Sequence, residues 1–189
     1  MRLILIKVIF FSFFVSASAK DIMRIEVAGQ AVGTIEIELL TELAPNHVNQ
    51  IKTLVSDNQY NGVAFHRVIN GFMAQTGDVM FGNVTNGYQP TMVGRGGSKL
   101  MDLTAEFSNQ SFDRGIVGMA RSQNPNSANS QFFIMLEDGH FLNGKYTVFG
   151  KVISGMPVVD AIKKGDQENN GMLSSNPDFM EKVHILTRD

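Results

Sequence analysis

Between residues 22 and 39 the chain switches from a run of β-branched residues to a strict alternation. Ile35, Ile37 and Leu39 are separated by Glu36 and Glu38, the period of two of a strand with one buried face. Ile22 and Val27 bound the preceding run, and Ala28-Gly29-Gln30 divides the two, so an antiparallel hairpin is predicted. The period then changes. Val48, Ile51, Leu54 and Val55 recur at spacings of three and four behind Ala44-Pro45, which predicts an amphipathic helix with proline in its first turn, ending near Asp57-Asn58. Further strands are predicted over 63–69, over 72–75 after the turn Asn70-Gly71, and over 115–120, 131–136, 147–153 and 183–186. Residues 77–102 and 123–129 are rich in Gly, Asn, Ser and Thr and read as loops. Residues 156–164 predict a second helix, stopped by Gly165. Many short strands, two helices and frequent glycine turns imply a mainly antiparallel β-barrel or sandwich. A length of 189 residues suits a single domain, and no internal repeat or low-complexity tract interrupts it.

The first residues follow a different pattern. Arg2 and Lys7 are basic, residues 3–15 are apolar apart from Lys7 and Ser12, and Ser16-Ala17-Ser18-Ala19 precedes Lys20. Basic start, short apolar run and small-residue ending predict a secretory signal peptide over 1–19, cleaved after Ala19. The run is short for a membrane span and no second one follows, so a mature chain without membrane attachment is expected. Cleavage removes Arg2 and Lys7 and leaves 14 basic against 18 acidic residues, so the formal charge moves from −2 to −4. Scattered Lys and Arg give no footprint for nucleic acid. The absence of cysteine excludes thiol catalysis, disulfide exchange and thiolate ligands. His47, His66, His140 and His184 lack ligand spacing, so no metal site is expected.

One segment is dense with unusual residues: Phe65-His66-Arg67-Val68-Ile69-Asn70-Gly71-Phe72-Met73-Ala74-Gln75. Strand alternation places Phe65, Arg67 and Ile69 on one face, with Phe72 and Met73 just beyond a sharp turn. A guanidinium beside an aromatic ring and a thioether makes a surface half apolar and half cationic. A plain surface arginine at a sheet edge is the alternative reading of the same pattern.

The run FHRVINGFMAQTGD resembles the signature of the cyclophilins, as do MARSQNPNSANSQFFI over 119–134 and FLNGKYTVFGKV over 141–152. The three blocks keep the family's order and spacing, and the bacterial periplasmic members are most similar, with Phe and Tyr at the positions of Phe141 and Tyr146. The resemblance implies a closed eight-stranded antiparallel β-barrel capped by two α-helices, with the active site in a groove on its outside. It implies peptidyl-prolyl cis/trans isomerase activity without cofactor or metal. On this resemblance Arg67 matches the catalytic arginine and Gln75 the glutamine that orients the substrate backbone. Phe72, Met73, Phe133 and Leu142 match the walls of the proline pocket. Ala120, Arg121 and Gln131 line the groove, residue 121 acting largely through its backbone. Phe141 stands where many eukaryotic relatives have tryptophan, so weak cyclosporin sensitivity is expected for want of the indole N–H. Other departures are Asn70 for a proline, Thr76 for a glycine, and one extra residue within 123–129.

The implied substrates are proline-containing unfolded or flexible polypeptides, met by a monomer whose expected destination is a bacterial periplasm. A competing function is a holdase that grips proline segments, with turnover incidental. Simple gripping needs the apolar pocket but not the cation, so Arg67 discriminates between the two.

Overall fold

The computed structural model describes residues 19–188. The leader expected over 1–19 lies, except for Ala19, outside the described residues. Nine strands and two helices follow one another as β1 (Lys20–Ala28), β2 (Gly33–Leu39), α1 (Pro45–Ser56), β3 (Val63–Ala64), β4 (Arg67–Ile69), β5 (Met73–Thr76), β6 (Ile116–Met119), β7 (Phe132–Met135), a 3₁₀ turn (His140–Leu142), β8 (Val148–Ser154), α2 (Met156–Ala161) and β9 (Phe179–Arg188). All neighbouring strands are antiparallel, in the order β3-β9-β1-β2-β8-β6-β7-β5-β4. The predicted hairpin is β1–β2, with Ile25 opposite Ile35 and Met23 opposite Ile37, all fully buried.

The sheet differs from the expected closed ladder of eight strands. Residues 63–69 form two strands because the chain changes partner, β3 pairing with β9 and β4 with β5, and the fully buried Phe65 and His66 lie at the change. Phe65 therefore packs in the main core and does not share a face with Arg67 and Ile69, as alternation had predicted. Its N–H donates to the Asp178 carbonyl, 2.8 Å away, in register with the β3–β9 pairs Val63–Met180 and Ala64–Phe179. The outermost strands of the curled sheet, β3 and β4, are thus joined by the chain itself. A side-chain bond crosses the same seam: Thr76 Oγ1 of β5 donates to the Ala64 carbonyl of β3 at 2.9 Å. The hydroxyl is a use for threonine at the position where the family pattern has glycine.

α1 occupies the predicted range, with Val48, Ile51, Leu54 and Val55 buried. Its N-cap, Ala44, offers no side-chain acceptor, and Glu106 supplies one from 60 residues away. The carboxylate accepts the Asn46 and His47 N–H groups at 3.2 and 3.1 Å and lies 2.6 Å from His47 Nδ1. α2 is shorter than predicted. It stops at Ala161 because Ile162 turns into the core and the next N–H, of Lys163, donates to the buried Asp178 carboxylate at 2.7 Å. Gly165 is not the helix stop. It lies where the backbone passes Gly171 so closely that a Cβ would meet the Gly171 carbonyl oxygen at 1.9 Å.

Burial divides the sheet into two faces. Val68, Ala74, Val117 and Ile134 point with Phe65, Phe132 and Phe149 into the main core, which α1 covers. Met73, Phe112, Phe133, Met135, Leu142 and Val148 form a second apolar cluster on the other face. No helix among the described residues is long and apolar enough to cross a membrane.

Candidate active site

Strand register builds the site. β4 pairs Arg67 with Gln75 of β5, β5 pairs Gln75 with Phe133 of β7, and β7 pairs Phe133 with Gly118 of β6. Residues directly opposite in an antiparallel sheet share a face, so a cation, an amide and an aromatic ring stand in one row over the second cluster. The turn after Ile69 closes with the Phe72 N–H on the Ile69 carbonyl at 3.1 Å and Gly71 at φ 68°, bringing Phe72 back toward this face. The 3₁₀ turn adds Phe141 and Leu142 from the far side.

Ten of the eleven expected site residues line one groove: Arg67, Phe72, Met73, Gln75 and Ala120, then Arg121, Phe133, Phe141, Leu142 and Tyr146. Gln131 lies behind it, 9% exposed, and reaches the site through Gln75. The aromatic rings interlock. Phe72 and Phe141 stand 5.5 Å apart, Phe133 meets Tyr146 edge-on at 5.8 Å, and Phe112 stacks beneath Phe133 at 5.8 Å. Phe141 is 62% exposed and forms the outer lip, while Phe133 and Leu142 are buried and form the floor. Such a slot accepts a compact apolar ring.

The polar side is a directed chain of hydrogen bonds. The Gly96 carbonyl accepts from Gln131 Nε2 at 2.7 Å, Gln131 Oε1 from Gln75 Nε2 at 2.9 Å, and Gln75 Oε1 from an Arg67 Nη at 3.1 Å. Arginine only donates, so it sets the orientation of both amides. Gly96 is itself fastened, its N–H donating to the buried Asp78 carboxylate at 2.9 Å. On the opposite edge Arg67 Nε donates to the Asn170 main-chain carbonyl at 3.0 Å and the other Nη to Asn170 Oδ1 at 2.9 Å. These partners are all neutral, and among the described residues no carboxylate pairs with Arg67. Burial pulls its pKa below the ordinary value.

The Arg121 side chain also has contacts of its own. Its guanidinium lies 4.4 Å from the centre of the Tyr146 ring and donates to the Ser122 and Lys145 carbonyls at 2.8 and 2.9 Å. The side chain thus builds part of the groove wall by a cation–π contact. Asn170 and Gly96 were not legible as site residues, since Asn170 is 103 positions from Arg67 and sits in a polar turn without a local motif. Among the described residues one trio could approach a metal ion, Asp113, Asp138 and His140. All three are exposed and outside the groove, and Asp113 already pairs with His140 Nε2 at 2.8 Å.

The family model for cyclophilin type peptidyl-prolyl cis-trans isomerases matches residues 22–186. A probable peptidyl-prolyl cis-trans isomerase of Brucella suis is 59% identical over 170 residues, 90% of this chain and 86% of its own. A peptidyl-prolyl cis-trans isomerase of Acinetobacter baylyi is 39% identical over 158 residues, 80% and 78% of the two chains. Among solved structures, a Cryptosporidium parvum cyclophilin type isomerase superposes with a TM-score of 0.74 at 25% identity, covering 91% of this chain and all of its own. A cyclophilin of Hirschia baltica superposes with a TM-score of 0.70 at 25% identity, covering 88% and 79%. With the groove, the register that builds it and these matches in agreement, the chain belongs to the cyclophilin family of peptidyl-prolyl cis-trans isomerases.

Proposed function

We propose that this groove isomerises Xaa-Pro bonds in flexible or unfolded exported polypeptides, with Arg67 as the catalytic cation. The observation that carries the reading is a half-buried guanidinium held by neutral partners beside a slot of apolar side chains. Rotation about an amide is opposed by about 18–20 kcal/mol because resonance gives the bond double-bond character. Twisting localises a lone pair on the imide nitrogen. A donor placed there bonds to the twisted form and hardly to the planar one, which is differential binding of the transition state. Three of the five Arg67 N–H groups are taken by Asn170 and Gln75, leaving one on each terminal nitrogen. Among the described residues no carboxylate compensates the charge, which leaves it available to the substrate.

Phe72, Met73, Phe133 and Leu142 would grip the pyrrolidine ring while the preceding carbonyl turns. Gln75 uses one amide N–H on Gln131 and retains the other for a substrate carbonyl. No covalent bond forms or breaks in this reaction, so the groove needs only to position and polarise. A proline-containing ligand finds support in the Cryptosporidium parvum isomerase studied in the presence of the dipeptide Ala-Pro, which superposes on this chain with a TM-score of 0.72. Export rests on the leader pattern of residues 1–19, the periplasm on the resemblance to bacterial periplasmic members, and the monomer on the family resemblance.

The test is cis-to-trans exchange of a short proline peptide with the purified protein beside Arg67→Ala. A fast wild type and a folded but crippled variant are expected. A wild type that binds the peptide without changing its exchange rate overturns catalysis and leaves a proline-binding holdase. Export is tested separately, by sequencing the N-terminus of the exported protein. Lys20 is the expected first residue, and a retained Met1 refutes the leader.

A further inference from the structure

The segment following α2 touches the site at one residue. Asn170 offers two oxygens to Arg67, its main-chain carbonyl to Nε at 3.0 Å and its side-chain Oδ1 to Nη at 2.9 Å. Both can face the same guanidinium edge because Asn170 is left-handed, at φ 53°, a conformation asparagine adopts more readily than most residues. Gly171 follows at φ 76°, and a Cβ there would meet Ile69 Cγ1 at 2.5 Å and the Val68 carbonyl oxygen at 2.9 Å. This close approach lets the Gly171 carbonyl accept from the Val68 N–H at 2.8 Å, while the Val68 carbonyl accepts from the Gly165 N–H at 2.9 Å. The segment is therefore fastened to β4, the strand that carries Arg67.

We infer that Asn170 is a positioning residue for the isomerisation: its two oxygens hold one edge of Arg67 while Gln75 holds another, so that the remaining N–H groups are aimed before substrate arrives. An unheld arginine side chain has rotamer freedom to lose on forming its transition-state bond. Holding it beforehand with neutral oxygens removes that loss and preserves the charge. The inference rests on the reading of Arg67 as the catalytic cation, and its effect falls on turnover, not on gripping the proline ring.

The experiment compares wild type, Arg67→Ala, Asn170→Gly and Asn170→Asp. Glycine keeps the left-handed backbone and the main-chain oxygen and removes Oδ1 alone, which alanine would confound with strain. Aspartate restores an oxygen at that point. For Asn170→Gly, kcat is expected to fall about tenfold, the equivalent of 1.4 kcal/mol, with KM within twofold of wild type. In ¹⁵N spectra the Arg67 Nε–Hε resonance should be sharp in wild type, broadened in Asn170→Gly and sharp again in Asn170→Asp, with backbone amides remote from the site unmoved. An Asn170→Gly protein that turns over at the wild-type rate, or whose Arg67 resonance is unchanged, overturns the positioning role. An Arg67→Ala protein that remains fully active overturns the reading beneath it, and the two failures are distinguishable.

Discussion

His66 gives the fold a calculable sensitivity to acid. Its ring is fully buried between β3 and β4, and neither nitrogen has a partner in hydrogen-bonding geometry. Burial dominates its titration and lowers the pKa from 6.5 to about 4. The Asp78 charge opposes this, but by less. The unfolded chain, with an ordinary histidine, binds the proton first. The stability contributed by neutral His66 is therefore complete above pH 6.5 and is lost as pH falls from there to about 4. Proton linkage over that window gives a loss of about 2 kcal/mol between pH 7 and pH 5 and about 3 kcal/mol at the acid limit. That is a large share of the 5–15 kcal/mol typical of a domain. Urea unfolding at pH 7, 6 and 5 measures it, with His66→Gln as reference. Titrating groups common to both proteins cancel in the difference. The variant starts less stable, and its deficit relative to wild type should shrink by about 2 kcal/mol on going to pH 5. Two parallel stability curves would refute the assignment.

Three further outcomes follow from particular contacts. A Cβ at Gly118 would lie 2.7 Å from both Phe112 Cε1 and Phe133 Cζ. Gly118→Ala should therefore cost about 1–3 kcal/mol by overpacking and raise KM by displacing the groove floor, both read from denaturation and steady-state kinetics. Asn70→Pro fits the second position of a turn whose third, Gly71, has φ 68°. It should add about 0.4–1 kcal/mol through the unfolded state without changing kcat/KM, as thermal unfolding and peptide exchange will show. Glu106→Ala removes the α1 cap and should cost about 0.5–2 kcal/mol in urea unfolding. Burial pushes the Glu106 carboxyl up, but hydrogen bonds from His47 and Asn46 outweigh it and hold the pKa below its ordinary value. The cap's contribution is thus present above the ordinary glutamate range and disappears as pH falls through the lowered pKa.

Local pattern determined a good deal of this protein. The alternation of Ile35, Ile37 and Leu39, the stripe from Val48 to Val55 and the block from Phe65 to Gln75 named the hairpin, the first helix and the chemistry-bearing segment, because period and turn chemistry are carried by neighbours in sequence. The resemblance in three blocks named the ten side chains that line the groove. Only the tertiary structure decided what couples them. The split at Phe65-His66 came from a change of partner strand, β3 pairing with β9 and β4 with β5, which no local period foretells. The early end of α2 came from Asp178 capturing a main-chain N–H 15 residues away. The partners of Arg67 came from cross-strand register on one side and from Asn170, 103 positions distant, on the other. A hydrogen bond needs its groups about 3 Å apart in space, and separation along the chain says nothing about which distant residues will meet that condition.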